Sequence, residues 1–416
     1  MRDGLSSPSS RTDFSECSFF KKGTTAELSQ QARPIAFTLE QFLISGVTIP
    51  VKLKAAYAGK KVLVTGHTGF KGAWLTQWLL MMGARVYGYA LEPPTTPAIF
   101  EQLALGTEIQ DERGDIRDFT RFKAFLERVK PEIVFHLAAQ SLVRDSYGKP
   151  LETVEVNTLG TVHVLDAIRQ SGLSLAAIMV TTDKCYSNQE WLFGYRETDP
   201  MGGHDVYSAS KGAAELLIDS WRMAFFPPSR LADHGVMVAS VRAGNVIGGG
   251  DWANDRIVPD CVRALLNDAS IPVRNPAATR PWQHVLEPLA GYLYLGAALM
   301  DPARPVIDKA RYCTGFNFGP LLPSNQPVRV LTERAIESWG SGSWRDLSEP
   351  NAPHEAQLLH LTVDKAFHML GWLPRWDFKT TVHHTMEWYR DVMVHNANPA
   401  AKTIAQIQQY ERGSAG

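Results

Sequence analysis

A glycine-rich loop limits what this chain can fold into more than any other feature of its sequence. The run KVLVT at residues 61–65 is typical of a buried strand, and Gly66, Gly69 and Gly72 follow it before a helix-forming segment begins. Glycines at this spacing let the backbone turn tightly, approach a pyrophosphate and pack the helix against the sheet. The free amides at the helix start then face the phosphates. The loop therefore predicts a dinucleotide-binding α/β fold, with an ordinary tight turn as the alternative.

Short runs rich in β-branched residues alternate with segments of helical period along the chain. The runs lie at residues 61–65, 85–90, 132–139, 176–182 and 236–243. Strands alternating with helices predict parallel βαβ units, and nearly continuous apolar strands predict burial on both faces of the sheet. We therefore expect a Rossmann-type doubly wound parallel sheet with a smaller C-terminal α/β domain.

The length and composition predict four segments. A chain of 416 residues can form one large domain or two. Residues 1–57 are expected to be a disordered extension or an over-long reading frame, because their N-terminal part is rich in Ser, Thr and charge and lacks an apolar period. We expect a cofactor-binding domain at 58–241, a mainly substrate-binding domain at 242–400 and a tail at 401–416.

Charge, hydropathy and cysteine spacing exclude several classes of protein. Lys and Arg number 42 and Asp and Glu 43, so the chain lacks the basic surface that nucleic-acid binding needs. No run of about 18 apolar residues is present to span a membrane. Cys17, Cys185, Cys261 and Cys313 lie too far apart for a C-x-x-C zinc or redox motif. We expect a cytoplasmic protein that binds neither a metal, a membrane nor nucleic acid.

The end of the second strand favours NAD over NADP. Glu92 follows this strand and could hold the adenosine ribose hydroxyls, and no Arg or Lys between Val86 and Ile99 could neutralise a 2′-phosphate. Farther along, Asp115 could contact the adenine amino group, although a solvated turn aspartate is an equally simple interpretation.

Tyr207 and Lys211 lie four residues apart, which places them on one face of a helix. The ammonium can then stabilise the phenolate of a tyrosine whose ordinary pKa is about 10. Tyr57 and Lys61 have the same spacing, but they precede and enter the first strand, where no cofactor could reach them. Only the pair at 207 and 211 follows a strand on the carboxyl edge, where ligands bind to open α/β sheets.

Three polar residues at the end of another strand form a second candidate group. Thr182, Asp183 and Lys184 bring together a hydrogen-bond donor, an acid and an amine. A polar turn with a helix cap is the structural alternative. The glycine loop and the Tyr207–Lys211 pair together favour the catalytic interpretation.

The motifs together resemble the extended short-chain dehydrogenase/reductase family, and within it the nucleotide-sugar dehydratases. The matching segments are VTGHTGFKGAWL (64–75), GDIRD (114–118), FHLAAQSLVRDSY (135–147), NTLGT (157–161), TTDKCY (181–186), YSASK (207–211), RAGNVIGGGDWANDRIVPD (242–260) and RPWQHVLEPLAGYL (280–293). The resemblance spans about residues 58–390. It implies tightly bound NAD, CDP-glucose as the substrate and a 4-keto-6-deoxy sugar as the product. It also implies a homodimer or homotetramer in deoxysugar biosynthesis, as for O-antigen or lipopolysaccharide.

The resemblance also implies roles for individual residues. Tyr207 would take the proton of the C4 hydroxyl, Thr182 would hydrogen-bond the C4 oxygen, and Asp183 would protonate the departing C6 hydroxyl. Lys211 would orient the nicotinamide ribose and lower the pKa of Tyr207. Further residues implied to bind the cofactor are Phe70, Ile116 and Ala138, and those implied to bind the substrate are Asn245, Arg256 and Arg280.

Lys184 departs from the dehydratases of dTDP- and GDP-sugars, which place Glu at this point. A lysine has an ordinary pKa of about 10.4 and is no base at neutral pH unless that pKa falls. Nearby positive charge and desolvation under a bound sugar act in that direction. We therefore interpret Lys184 as the base for the C5 proton, with an electrostatic role as the alternative.

Three other functions compete with CDP-glucose dehydration. A 4-epimerase would share the glycine loop and the tyrosine, but Asp183 and Lys184 would have no catalytic role in it. A GDP- or dTDP-sugar dehydratase would keep the chemistry, but Glu would be expected at 184. A catalytically silent NAD-sensing scaffold would not need both Tyr207 and Lys211.

Overall fold

The computed structural model describes residues 49–348 and 358–413. Most of the predicted N-terminal extension, residues 1–48, lies outside the described residues, as do residues 349–357 and 414–416. The described residues belong to one compact unit. The predicted division near residue 241 stays a prediction.

Thirteen strands occur in the described residues. They are β1 (Lys61–Thr65), β2 (Arg85–Ala90), β3 (Gln110–Arg113), β4 (Ile133–His136), β5 (Ala176–Val180), β6 (Met237–Arg242), β7 (Val246–Ile247), β8 (Ile271–Val273), β9 (Thr279–Pro281), β10 (Gln283–His284), β11 (Gly315–Asn317), β12 (Asn325–Pro327) and β13 (Trp344–Asp346).

Sixteen α-helices occur in the same part of the chain. They are α1 (Ile49–Tyr57), α2 (Phe70–Met81), α3 (Ile99–Gln102), α4 (Phe119–Val129), α5 (Val143–Gly148), α6 (Pro150–Val154), α7 (Gly160–Ser171), α8 (Val206–Ala224), α9 (Leu231–His234), α10 (Ile257–Leu266), α11 (Leu286–Met300), α12 (Val306–Ala310), α13 (Val328–Trp339), α14 (Asp364–Leu370), α15 (Phe378–Met393) and α16 (Pro399–Arg412). A π-helical turn, Glu155–Leu159, joins α6 to α7.

Seven strands form one parallel sheet in the order β11-β6-β5-β4-β1-β2-β3. The chain winds outward from β1 in one direction through β3 and in the other from β4 through β6. A crevice therefore opens between β1 and β4 at the carboxyl ends of the strands, where open α/β sheets bind ligands. This sheet confirms the predicted fold class.

The sheet is buried on both faces, as predicted. Along β1, Val62 and Val64 enter one apolar core while Leu63 enters another, and in β4 Phe135 and Val134 divide in the same way. Alternate residues of a strand point to opposite faces, so helices cover both sides.

The small strands after β6 belong to the C-terminal half. Strand β10 pairs with β7 in parallel, β12 pairs with β9 in antiparallel fashion, and β13 pairs with β8 in parallel. Helices α10 and α13 pack beside β8. These elements form one wall of the crevice.

Residues 49–57 correct the predicted start of the ordered chain. They form α1, in which Leu53 and Tyr57 are buried, and the Tyr57 hydroxyl donates to the Leu293 carbonyl at 2.8 Å. Burial raises the pKa of Tyr57 well above its ordinary value. The predicted extension is therefore wrong for residues 49–57, whose helix packs against α11. The contact with α11 also confirms that Tyr57 lies apart from the cofactor crevice.

The predicted tail at 401–416 is wrong for residues 401–412, which belong to α16. Thr403, Gln406, Ile407 and Tyr410 are buried, and their spacing follows one face of a helix. Sequence reasoning missed this face because two of its four residues are polar.

The carboxylate of Glu287 anchors α16 and gives the fold a pH dependence. Its oxygens accept the Trp376 amide at 2.7 Å and the Tyr410 hydroxyl at 2.7 Å. Burial raises the pKa of Glu287 to about 7. The unfolded chain loses this proton at lower pH than the folded protein, so the group's contribution to stability falls as pH rises from about 4.5 to about 7.

Replacing Glu287 with Gln should remove this part of the pH dependence. In the parent, this group lowers the free energy of unfolding by about 3 kcal/mol between pH 4.5 and pH 8. Urea unfolding at several pH values measures the difference between parent and Glu287→Gln. An identical pH dependence in both proteins would contradict the assignment.

Candidate active site

A cavity of about 1170 Å³ opens at the carboxyl ends of the central strands. Its walls contain almost every residue that the sequence nominated. These residues are Gly66, Gly69, Phe70, Gly72, Asp115, Ile116, Ala138, Thr182, Lys184, Tyr207, Lys211, Asn245, Arg256 and Arg280. Asp183 alone of the nominated set lies behind the wall, fully buried. The fold thus brings residues from both halves of the chain to one site.

Two glycines of the loop, Gly66 and Gly72, have no room for a side chain. Gly66 has a φ of +72°, and a Cβ there would lie 2.7 Å from the Ala138 nitrogen. A Cβ on Gly72 would lie 2.2 Å from the Gly66 carbonyl oxygen. The chain just after β4, the loop and α2 therefore meet backbone to backbone. The bare loop at a helix start inside a large cavity fits the pyrophosphate of a dinucleotide.

A cation that sequence reasoning missed lies beside Glu92, which lines the cavity. Arg113, at the end of β3, lies 3.3 Å from a Glu92 carboxylate oxygen and 2.8 Å from one of Asp111. It also donates to the Leu91 carbonyl at 3.2 Å. The search for basic residues covered only residues 86–99. Arg113 lies outside that range, on β3, which is a neighbour of β2 in the sheet. Two carboxylates balance this guanidinium, which leaves Glu92 suited to ribose hydroxyls and poorly suited to a 2′-phosphate.

Asp115 also lines the cavity, but its carboxylate already has a partner. Arg117 donates to it from Nη2 at 2.6 Å and from its backbone nitrogen at 2.8 Å. These bonds lower the pKa of Asp115. The predicted contact with adenine stays a prediction.

Tyr207 and Lys211 lie in the first turns of α8. Asp205 caps this helix by accepting the Ser208 amide at 2.8 Å. Both side chains are buried, and Lys211 Nζ donates to the Val180 carbonyl at 3.5 Å. The helix thus carries the phenol and the ammonium to the end of β5.

Burial opposes ionisation of both groups. It raises the pKa of Tyr207 to about 12, while the hydrogen bond with Thr182 and the charge of Arg256 lower it. It lowers the pKa of Lys211 to about 8, and the charge of Glu215 opposes that change. A phenolate therefore needs further positive charge beside it, of the kind that an oxidised nicotinamide carries.

Residues 182–184, called the TDK turn below, follow β5. Thr182 Oγ1 donates to Asp183 Oδ1 at 3.0 Å and accepts the Lys184 amide at 3.4 Å. The cap geometry of the structural alternative is therefore present. Lys184 still faces the cavity, with its Nζ 3.7 Å from Asp183 Oδ1. The turn thus combines a local cap with an amine–carboxyl pair beside Tyr207.

Asn245 supports the buried Asp183. Its amide donates to Asp183 Oδ2 at 3.5 Å, and its φ of +48° is uncommon for a residue other than glycine. A Cβ on the preceding Gly244 would lie 1.8 Å from Asp183 Oδ2. The sequence predicts that Asn245 binds the substrate. The structure adds the contact between Asn245 and Asp183.

The two predicted substrate arginines occupy different parts of the wall. Arg256 pairs with Asp251 at 2.8 Å and donates to the Ser141 hydroxyl at 3.2 Å. Arg280 lies in β9 and donates to the Thr279 carbonyl at 2.9 Å. Their contact with a substrate stays a prediction.

Lys71 is a cavity residue that the sequence analysis did not nominate. It lies between the last two glycines of the loop, and its Nζ donates to the Tyr292 hydroxyl at 3.4 Å. Burial lowers its pKa to about 8, and the charges of Arg256 and Lys211 add to that effect. The position of a charged residue inside the glycine motif is the sequence feature that could have revealed Lys71.

Two further predictions concern cysteines and membranes. Cys185, Cys261 and Cys313 are buried and unpaired, while Cys17 lies outside the described residues. Burial raises the pKa of Cys185, which fits a spectator beside the site. In the part of the chain that the structure describes, no helix is long and apolar enough to cross a membrane.

Comparison with known proteins identifies the family. A sequence model of the GDP-mannose 4,6 dehydratase family matches residues 63–292, more than half of the chain. The chain belongs to the GDP-mannose 4,6 dehydratase family. One relative, the CDP-glucose 4,6-dehydratase of Salmonella typhimurium, is 48% identical over 337 residues, which cover 81% of this chain and 92% of the relative. This family membership confirms the resemblance that the motifs carried.

Solved structures of similar proteins confirm the fold of this dehydratase-family member. The dTDP-glucose 4,6-dehydratase of Bacillus anthracis, solved in complex with NAD, has a TM-score of 0.65 and 16% identity, covering 81% of this chain and 98% of its own. The UDP-glucose 4-epimerase of Thermotoga maritima has a TM-score of 0.66 and 20% identity, covering 80% and 99%. Dehydratases and epimerases thus share this fold, and only the residues of the site can separate them.

Proposed function

We propose that this protein catalyses the NAD-dependent dehydration of CDP-glucose to CDP-4-dehydro-6-deoxy-D-glucose. The observation that carries the proposal is the meeting of the glycine loop, Tyr207 and the TDK turn in one cavity. The 48% identity to the Salmonella typhimurium CDP-glucose 4,6-dehydratase supports the choice of nucleotide. The reaction class follows from the site, and the cytosine follows from the relative.

The cofactor would be held by Gly66, Gly69 and Gly72 at its pyrophosphate and by Lys211 at its nicotinamide ribose. A nicotinamide held there would supply the acceptor for the hydride that leaves C4 of the sugar and the donor for its return to C6. Phe70, Ile116 and Ala138 would add wall contacts, and Asp115 lies where the adenine is expected. NAD is thereby regenerated, so it can remain bound between turnovers.

Tyr207 performs the first proton transfer in this proposal. As a phenolate it removes the proton of the C4 hydroxyl, and Thr182 donates a hydrogen bond to the same sugar oxygen. The resulting ketone at C4 acidifies the hydrogen at C5. Arg256 opposes the burial that would otherwise keep the phenol protonated, and in this proposal the Lys211 ammonium adds to that effect.

The elimination of water needs one base and one acid, and the TDK turn offers both. Lys184 Nζ and Asp183 Oδ1 lie 3.7 Å apart. Under a bound sugar, a desolvated ion pair is costly, and transfer of one proton converts it to a neutral amine and a carboxylic acid. Lys184, which faces the cavity, can then remove the C5 proton and return a proton to C5 when hydride enters C6. Asp183 does not line the cavity, so its carboxyl must come into contact with the C6 hydroxyl to protonate it as it leaves.

Replacing Lys184 with Met tests the base directly. The variant should eliminate water from the 4-keto sugar poorly and lose exchange of the C5 hydrogen with solvent by about 10²-fold or more. Incorporation of deuterium from D₂O into C5 is measured by NMR of the product and recovered substrate. Parent-level exchange in Lys184→Met would eliminate the base role and leave the electrostatic alternative.

A nucleotide-sugar 4-epimerase is the principal competing function. An epimerase needs only hydride transfer and rotation of the sugar, so the Asp183–Lys184 pair would have no task. Incubation of the purified protein with CDP-, dTDP-, UDP- and GDP-hexoses distinguishes the alternatives. We expect loss of water with the CDP sugar. An isomer of unchanged mass would support the epimerase, and dehydration of another nucleotide sugar would change the proposed substrate.

The finer biological setting is proposed on resemblance alone. We propose a cytoplasmic homodimer or homotetramer in deoxysugar biosynthesis, as for O-antigen or lipopolysaccharide. Light scattering of the purified protein measures the oligomeric state.

A further inference from the structure

A buried ion pair lies beneath the TDK turn. Glu215, on α8 one helical turn after Lys211, accepts Arg242 Nη2 at 2.9 Å and the Ser240 hydroxyl at 2.8 Å. It also accepts the Thr181 hydroxyl. Glu215 is 3% exposed and Arg242 5% exposed. One carboxylate thus joins α8 to the ends of β5 and β6.

The same ion pair holds the TDK turn from both sides. Thr181, which bonds to Glu215, directly precedes the turn. Arg242 Nη1 donates at 2.6 Å to the hydroxyl of Tyr186, which lies two residues after the turn. The Arg242 guanidinium also lies 5.1 Å from the Tyr186 ring centre. Residues 181 and 186 are therefore tied to the two partners of one ion pair.

The pair has no direct access to substrate. Among the described residues that line the cavity, neither Glu215 nor Arg242 occurs. A buried ion pair is a weak source of stability, because desolvation offsets most of the attraction. The role of the Glu215–Arg242 pair therefore lies in the residues that it orients.

We propose that Glu215 is a positioning residue for the dehydration, holding the Lys211 ammonium and the TDK turn in register with Tyr207. The inference rests on the proposed function. Tyr207, Lys211 and Glu215 recur every four residues of α8, so they share one helix face. The fixed carboxylate therefore links the turn, through Thr181 and Arg242, to the helix that carries the phenol and the ammonium.

The charge of Glu215 also affects the proton on Lys211. Burial lowers the pKa of Lys211 to about 8, and Glu215 raises it. Tyr207 shares the same face of α8 as Lys211. The other groups that interact with Lys211 are Cys185 after the TDK turn, His136 at the end of β4 and Lys71 on α2. Removing the carboxylate should lower the pKa of Lys211, so the ammonium is lost at lower pH.

The test compares Glu215→Gln with Ser240→Ala. The Gln variant should lower kcat about tenfold at pH 7, leave KM within about twofold and move the alkaline limb of the pH profile to lower pH. Ser240→Ala removes one hydrogen bond but keeps both charges, so its alkaline limb should stay in place. An unmoved limb with parent kcat in Glu215→Gln would overturn the proposal.

Two further measurements keep the inference separate from folding and from the proposed function. If Glu215→Gln fails to fold, Thr181→Val cuts the link to the turn and keeps both charges; it should lower kcat without moving the limb. Parent kcat in Thr181→Val would then overturn the positioning role. The pKa of Lys211 can also be measured by NMR titration, which does not depend on turnover. This titration compares the parent with Glu215→Asp, which retains the charge. If the parent does not dehydrate CDP-glucose, that result contradicts the proposed function but not the positioning role of Glu215.

Discussion

Tyr207→Phe should dehydrate CDP-glucose about 10³-fold more slowly than the parent while binding NAD and substrate with similar affinity. The substitution removes the phenol oxygen and leaves the ring that fills the wall of the cavity. No proton can then leave the C4 hydroxyl to this side chain as hydride departs. The measurement is kcat and KM with CDP-glucose, together with NAD titration.

The chain provides a matched control for this prediction. Tyr57 has the same spacing to a lysine, and its hydroxyl donates to Leu293 on the far side of the fold. Tyr57→Phe should lower the free energy of unfolding by about 1 to 2 kcal/mol and leave kcat unchanged. Parent activity in Tyr207→Phe, or an equal loss in both variants, would show that the phenol at 207 has no special role.

Gly66→Ala should lower NAD affinity by about 10²-fold. The new methyl group would lie within 3 Å of the backbone at Leu137 and Ala138, which cannot move aside cheaply. Overpacking of this kind costs about 1 to 3 kcal/mol, and the loop must shift away from the position that receives the pyrophosphate. The NAD titration and the melting temperature are measured together.

Gly59→Ala is a control that distinguishes the effect of backbone strain from the steric clash at Gly66. Its φ is +72°, the same as that of Gly66, but a Cβ there meets nothing within 4 Å. Gly59→Ala should therefore lose about 1 to 2 kcal/mol of stability from strain and bind NAD normally. Unchanged NAD affinity in Gly66→Ala would place the cofactor elsewhere.

The sequence predicts the parts of the fold that rest on strong local signals. The five apolar runs became β1, β2, β4, β5 and β6, because buried parallel strands are almost continuously apolar. Strand β3 reads QDER and lies at the edge of the sheet, where a polar run is tolerated, so no local signal revealed it. Strand β11 has only three residues, too few to show a pattern.

The site was predictable to the extent that its residues stand in motifs. The loop, the tyrosine and the turn were found because each has a fixed spacing and a stated chemistry. Arg113 and Glu215 were missed because their importance comes from neighbouring strands, which the linear sequence does not order. The burial of Asp183 behind Lys184 likewise depends on Gly244, sixty-one residues farther along the chain.

The central claim is that hydride leaves C4 and returns to C6 of one sugar while water departs. Purified protein with NAD should be given CDP-glucose carrying deuterium at C4, and the product examined by mass spectrometry and NMR. We expect a product lighter by one water, with the deuterium at C6. Deuterium lost to solvent, or a product of unchanged mass with deuterium still at C4, would contradict the account.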